Sequence, residues 1–181
     1  MNERLRDILI RVKGDARHLV ETGTHHGDGI ETALAAGFEF ATSFEIDAVK
    51  VEAARRRFAK WSGVEIVHES SLGDRFAELA KGERKVFWLD AHKMGPQGRV
   101  PQDYPLTAEL DAILRGGVAH TVVMDDVRLF ARYGTSVDAV VSALSVHHGG
   151  CVHEFATIRD AYPDDVLVVG MGLPPNAWSV K

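Results

Sequence analysis

Apolar residues follow two different patterns along this chain. Some form short, nearly continuous runs, which are typical of strands buried on both faces of a sheet, and others recur every third or fourth residue, as in amphipathic helices. The runs predict strands at 17–22, 38–46, 64–68, 85–90, 121–124, 151–158 and 166–171. The periodic segments predict helices at 2–13, 29–36, 47–61, 73–81 and 135–147, and one that begins at Pro105. This alternation of strands and helices predicts an α/β protein.

The last two predicted strands are joined differently from the others. Only residues 159–165 separate them. A crossover between parallel strands needs a dozen or more residues, so these two strands must be antiparallel. The sheet is therefore expected to be parallel except at this terminal hairpin.

A glycine-rich turn follows the first strand. Glu21 closes the strand, and glycines follow at Gly23, Gly27 and Gly29. Glycine lets the backbone turn tightly and approach a ligand, since it has no Cβ. Asp28, followed three residues later by Glu31, predicts a capping box at the start of the next helix. In α/β sheets, a strand, a glycine turn and a helix N-terminus at the first crossover are typical of a cofactor site.

The glycine spacing excludes the dinucleotide fingerprint G-x-G-x-x-G, because the pattern here is E-x-G-x-x-x-G-x-G. This pattern resembles motif I of the class I S-adenosylmethionine-dependent methyltransferases. The resemblance implies a Rossmann-like, mostly parallel sheet of seven strands in the order 3-2-1-4-5-7-6. It implies that strand 7 is antiparallel, that helices cover both faces, and that residues 1–181 form one methyltransferase domain. In that domain, 1–14 is a lead-in helix.

The same resemblance predicts the residues that bind S-adenosylmethionine. Glu45, at the end of the second strand, would accept hydrogen bonds from the ribose hydroxyls; the alternative is a plain loop acid or helix cap. Ser70 and Ser71 would lie near the adenine, would cap the helix at 73–81, or would do both. The expected cofactor-binding residues are Glu21, Gly23, Thr24, Gly27, Gly29, Glu45, Ile46, Ser70, Ser71 and Asp90.

Carboxylates also end the fourth and fifth strands, as Asp90, Asp125 and Asp126. Carboxyl ends of neighbouring parallel strands converge on one crevice, and crowded carboxylates repel one another unless a cation neutralises them. Hard oxygen ligands suit Mg²⁺, or Mn²⁺ in its place. The arrangement is similar to that of the metal-dependent O-methyltransferases that act on catechols and on sugar hydroxyls. There a basic residue three positions after the strand-four Asp takes the acceptor's proton, which corresponds to Lys93.

His92 is the other candidate for the catalytic base. The alternatives are a histidine bonded to the backbone for His92 and a solvated loop residue for Lys93. Arg128 is expected either to form salt bridges or to bind an acceptor phosphate or carboxylate. Residues 91–104, with their glycines and prolines, predict a mobile active-site loop that orders over the acceptor. Because the N-terminal segment is short, three arrangements of the site are expected as alternatives. It is open to solvent, it is covered by this loop, or it is completed by another subunit of a homo-oligomer.

Composition narrows the choice of partner. A net charge of −5 weighs against nucleic acid, and the basic run at 55–57 is expected to be a solvated helix face. The single cysteine, Cys151, excludes a disulfide framework. With neither a membrane-spanning stretch nor a signal peptide in view, we expect a cytoplasmic protein without a membrane partner. Trp61 and Trp88 are expected in the core.

Together these patterns predict a Mg²⁺-dependent O-methyltransferase that acts on a hydroxylated small molecule, either a sugar or a natural-product intermediate. One alternative is a metal-independent N- or O-methyltransferase, in which Asp90 is a simple polar contact. Another is a cofactor-binding module without transferase activity. Carboxylates at every relevant strand end favour an enzyme over the last of these.

Overall fold

The computed structural model describes residues 2–91, 105–158 and 162–173. The loop predicted at 91–104 lies outside the described residues except for Ala91. The same holds for His92 and Lys93, so the prediction of a catalytic base among them remains a prediction.

A single seven-stranded sheet runs through the described residues. Its strands are β1 (His18–Thr22), β2 (Phe40–Phe44), β3 (Val64–Val67), β4 (Val86–Leu89), β5 (Thr121–Met124), β6 (Cys151–Ala156) and β7 (Val166–Met171). They lie in the order β3-β2-β1-β4-β5-β7-β6. Strands β1 to β5 are parallel to one another, whereas β7 is antiparallel to both β5 and β6. The order and the reversed strand confirm the predicted topology.

Helices cover both faces of this sheet. They are α1 (Glu3–Val12), α2 (Asp28–Ala35), α3 (Ala48–Phe58), α4 (Asp74–Leu79), α5 (Leu106–Arg115) and α6 (Val137–His148). Alternate strand residues point to opposite faces, so that Leu19 packs with α1 and α2 while Val20 packs with α4, α5 and α6. Helix α3 packs against β2 and β3 through Val51, Ala54 and Phe58.

Several local predictions fail where a tertiary contact competes with the local signal. The capping box is wrong: Gly27 is the N-cap of α2 in a left-handed conformation, and the Asp28 and Glu31 carboxylates pair with Arg57 instead. The prediction that a serine caps α4 is also wrong, because the N-cap residue is Gly73, which makes no side-chain hydrogen bond to the helix. A 3₁₀ helix at Val127–Tyr133 was not predicted.

One of the two tryptophans expected in the core is outside it. Trp88 in β4 is buried, but Trp61 is 55% exposed because α3 ends before it reaches that position. In the part of the chain that the structure describes, no helix combines the length and the apolar character needed to cross a bilayer.

Candidate active site

The glycine turn connects β1 to α2 and requires glycine at two positions for steric reasons. Gly23 and Gly27 have φ angles of +85° and +83°, which residues with a Cβ rarely adopt. A Cβ at Gly23 would lie 2.7 Å from the carbonyl oxygen of Asp90, and one at Gly27 would lie 2.6 Å from Cε2 of Phe58. The turn is closed by the Gly27 amide, which donates to Thr24 O at 2.7 Å.

Glu21 lies beneath this turn and is almost completely buried. The Ser43 hydroxyl donates to Oε2 of Glu21 at 2.5 Å, and Thr24 Oγ1 is 2.6 Å from Ser43 Oγ. Burial raises the pKa of Glu21 to about 8, so its carboxyl group is largely protonated at neutral pH. The structure therefore places Glu21 and Thr24 in one buried network that supports the turn.

Glu45 follows β2 and is buried at the mouth of the turn. Its Oε1 accepts from the amides of Ile46 at 2.9 Å and Asp47 at 3.0 Å, and its Oε2 accepts from the amide of His25 at 3.0 Å. A carboxylate offers about four acceptor positions. Within the described part of the chain three of them are used, which leaves room for one ribose hydroxyl rather than two.

The serines after β3 are not equivalent. Ser71 is buried and its hydroxyl donates to Oε1 of Glu109 at 2.5 Å. Ser70 Oγ accepts from the amide of Leu72 at 3.2 Å and lies at the surface. Ile46, also expected near the cofactor, is 64% exposed. Ser70 and Ile46 therefore have exposed surface available to a ligand, whereas Ser71 is committed to a buried bond.

Glu109 is a buried acid that is not among the predicted site residues. It lies on α5, accepts hydrogen bonds from Ser71 and Thr22, and is 1% exposed. Burial raises its pKa to about 7. The signal was present in the sequence, because position 109 lies within the apolar stripe that Leu106 and Ile113 define on this helix.

The three predicted metal ligands do come together. One carboxylate oxygen from each of Asp90, Asp125 and Asp126 lies within 4.8 Å of the others. The backbone brings this about: the Asp90 amide donates to Thr22 O and the Asp125 amide donates to Leu89 O, each at 3.2 Å. Asp126 is fully buried and has a φ of +58°, an uncommon value for a residue other than glycine.

This donor set fits a small divalent cation. Mg²⁺ binds oxygens at about 2.0–2.1 Å in octahedral geometry, so two ligands on opposite sides of the ion lie about 4.2 Å apart. The Asp90, Asp125 and Asp126 oxygens all lie within 4.8 Å of one another, which is near this span, so one small ion could lie among them.

A guanidinium group also lies at this cluster. Arg128 Nη1 pairs with Asp126 Oδ1 and with Asp165 Oδ2, and the Arg128 amide donates to Asp165 Oδ1 at 2.9 Å. The guanidinium stacks over the Tyr162 ring at 4.0 Å. Arg128 therefore forms the salt bridges that were one of its two expected roles.

Neither a protein-family model nor a curated protein sequence matches this chain. Solved structures do resemble it. The cofactor-bound structure of Rv0187 from MTB matches with a TM-score of 0.64 and 19% identity over 95% of this chain and 81% of that one. A putative caffeoyl-CoA O-methyltransferase from Staphylococcus aureus matches with a TM-score of 0.62 and 14% identity over 95% and 85%.

The N-methyltransferase NodS from Bradyrhizobium japonicum WM9 matches with a TM-score of 0.59 and 13% identity over 93% of this chain and 92% of that one. Likeness at such low identity concerns the arrangement of strands and helices. On that evidence, this chain has the Rossmann-like fold of the class I methyltransferases.

Proposed function

We propose that this protein is an S-adenosylmethionine-dependent methyltransferase that uses Mg²⁺ to methylate a hydroxyl group of a small molecule. The observation that carries the proposal is the convergence of Asp90, Asp125 and Asp126 beside the glycine turn. Gly23 packs against the backbone of Asp90, so the turn and the carboxylates border the same crevice. Ligands of α/β sheets bind at this edge, beyond the carboxyl ends of the strands.

The cofactor half of the site is formed by α2 and Glu45. The first amides of α2 have no partner within the helix, and together with the helix dipole they favour a carboxylate such as that of methionine. Glu45 would accept a hydrogen bond from one ribose hydroxyl, and Ile46 offers an exposed apolar surface to the adenine. S-adenosylmethionine, when bound, supplies an electrophilic methyl group.

The acceptor half of the site is formed by the carboxylates. Asp90, Asp125 and Asp126 would hold the ion, which when bound lowers the pKa of a coordinated hydroxyl and fixes its oxygen. The three carboxylates orient the acceptor relative to the glycine turn, and alignment of the two reactants supplies much of the rate enhancement in such transfers. We expect Lys93 or His92 to accept the proton.

Arg128 favours a second candidate, a metal-independent N- or O-methyltransferase. Its guanidinium already balances part of the charge of Asp126 and Asp165, so the need for a cation is smaller than three isolated carboxylates would suggest. The structural neighbours include both an N-methyltransferase and a putative caffeoyl-CoA O-methyltransferase. Dependence on a metal ion separates the two candidates.

The proposal can be tested by methyl transfer in the presence and absence of metal. The protein would be incubated with S-adenosylmethionine and a panel of sugars, phenols and amines, and mass spectrometry would detect products that have gained one methyl group. We expect transfer to a hydroxylated acceptor, its loss in excess chelator and its recovery with Mg²⁺. Full transfer in excess chelator would support the metal-independent candidate, and the absence of S-adenosylhomocysteine binding in calorimetry would reject both.

A further inference from the structure

Helix α3, which follows β2, contacts the outer side of the glycine turn. Arg57, near the end of α3, reaches across to three acceptors on this turn and on the start of α2. Its Nη1 donates to the carbonyl oxygen of His26 and to Asp28 Oδ1 at 3.0 Å, and its Nη2 lies 3.2 Å from Glu31 Oε2. These acceptors precede and follow Gly27, the N-cap of α2.

The neighbouring residue, Phe58, completes the contact. Its ring fills the space that a side chain at Gly27 would need, and the Arg57 guanidinium lies 5.3 Å from the centre of that ring. The turn is therefore enclosed by an apolar ring at Gly27 and by a guanidinium at His26, Asp28 and Glu31. Arginine suits this role, because its planar group presents five donors in a fixed arrangement.

We propose that Arg57 is a positioning residue that holds the glycine turn in the shape that binds the cofactor. An exposed ion pair alone contributes little to stability. Here, however, the guanidinium also binds the carbonyl of His26, which fixes the peptide plane that carries the Gly27 amide. The amides at the start of α2 then keep the orientation that an anionic ligand group requires. Arg57 acts through the turn and does not itself contact the ligand.

The effect on cofactor binding rests on the proposed function, whereas the effect on the turn does not. Two measurements separate them: hydrogen–deuterium exchange of the peptide at 23–31 in the ligand-free protein, and calorimetry with S-adenosylhomocysteine. The variants are Arg57→Ala, Arg57→Lys and the control Arg56→Ala. Arg56 precedes Arg57 on α3, is exposed, and makes no hydrogen bond or ion pair with the described residues.

We expect the peptide at 23–31 to exchange at least about fivefold faster in Arg57→Ala than in Arg56→Ala, because Arg57→Ala loses the charged hydrogen bonds to the turn. Exchange in β4 and β5 should not change, which distinguishes a local role from general destabilisation. S-adenosylhomocysteine should bind Arg57→Ala at least about fivefold more weakly, with Arg57→Lys intermediate. Equal exchange in Arg57→Ala and Arg56→Ala would overturn the proposal. Failure of the unaltered protein to bind would overturn the proposed function alone.

Discussion

The backbone of Gly29 lies directly against the carboxyl group of Glu21: a Cβ added at Gly29 would stand 1.8 Å from Oε1 of Glu21. The first and last residues of the E-x-G-x-x-x-G-x-G pattern are thus in contact. A buried acid at the end of β1 needs a residue without a side chain where α2 passes over it. The spacing of the motif reflects this packing as well as the needs of a ligand.

We predict that Gly29→Ala destabilises the protein by about 1–3 kcal/mol, the usual cost of overpacking a tight site. The cause is the clash with Glu21, so the same substitution should cost less in a Glu21→Ala background. Urea unfolding of the two single variants and the double variant measures this coupling. Gly73→Ala is a suitable control, because its Cβ would make an ordinary 3.4 Å contact with Ser70 O. Equal costs in both backgrounds would contradict the prediction.

Glu21 should also give the protein a specific dependence on pH. Its pKa is raised from 4.5 to about 8 by burial, so between these values the folded state keeps a proton that the unfolded state has released. Its contribution to stability is therefore fully present below pH 4.5 and is lost as the pH rises towards 8. Glu21→Gln cannot titrate, and its stability relative to the unaltered protein should increase from pH 5 to pH 8. A difference that stays constant with pH would refute this.

The hydrogen bonds that Glu45 already accepts lead us to predict that the two ribose hydroxyls contribute unequally to binding. Three backbone amides already bond to its carboxylate, so one acceptor position remains for the ligand. Analogues of S-adenosylhomocysteine that lack either the 2′ or the 3′ hydroxyl should bind unequally: one about tenfold more weakly, the other nearly as well as the parent, since a hydrogen bond to a charged group contributes about 1.5–3 kcal/mol. Equal losses for both analogues would show that the backbone bonds are given up on binding.

Asp125→Asn should weaken metal binding without affecting the cofactor. The substitution removes one charged ligand of the cluster, and we expect Mn²⁺ affinity, measured by electron paramagnetic resonance, to fall at least about tenfold. Affinity for S-adenosylhomocysteine should change little, because Asp125 directly follows β5 and the cofactor half of the site lies at α2 and Glu45. Asp111→Asn is the matched control, since Asp111 is an exposed acid that pairs with Arg115. Unchanged Mn²⁺ binding in Asp125→Asn would remove this residue from the proposed site.

Much of the fold was predictable because its signals are local. Buried runs such as Thr121–Met124 mark strands by themselves, and the short connection before Val166 dictates an antiparallel pair. The convergence of Asp90, Asp125 and Asp126 was predictable for the same reason, since strand ends that share an edge bring their next residues together.

Contacts between residues far apart in the chain could not be predicted in this way. Arg57 is 31 positions from His26, and Glu109 is 38 positions from Ser71. In the sequence, Asp28 and Glu31 have the spacing of a capping box. Only the packing of α3 shows that both carboxylates form ion pairs with Arg57. The protonation state of the Glu21 carboxyl group likewise depends on its burial, which no local sequence pattern encodes.

The direction of a single strand determines which residue neighbours Asp126. Because β7 runs antiparallel to β5, Leu167 near its start, rather than Met171 at its end, lies beside Met124. Asp165, which directly precedes β7, can therefore hold Arg128 and through it Asp126. The register that pairs Met124 with Leu167 thus also fixes the place of Asp165 beside Arg128. A parallel strand in this position would bring its last residues to this edge instead, so the charge balance at the carboxylate cluster depends on the reversal of one strand.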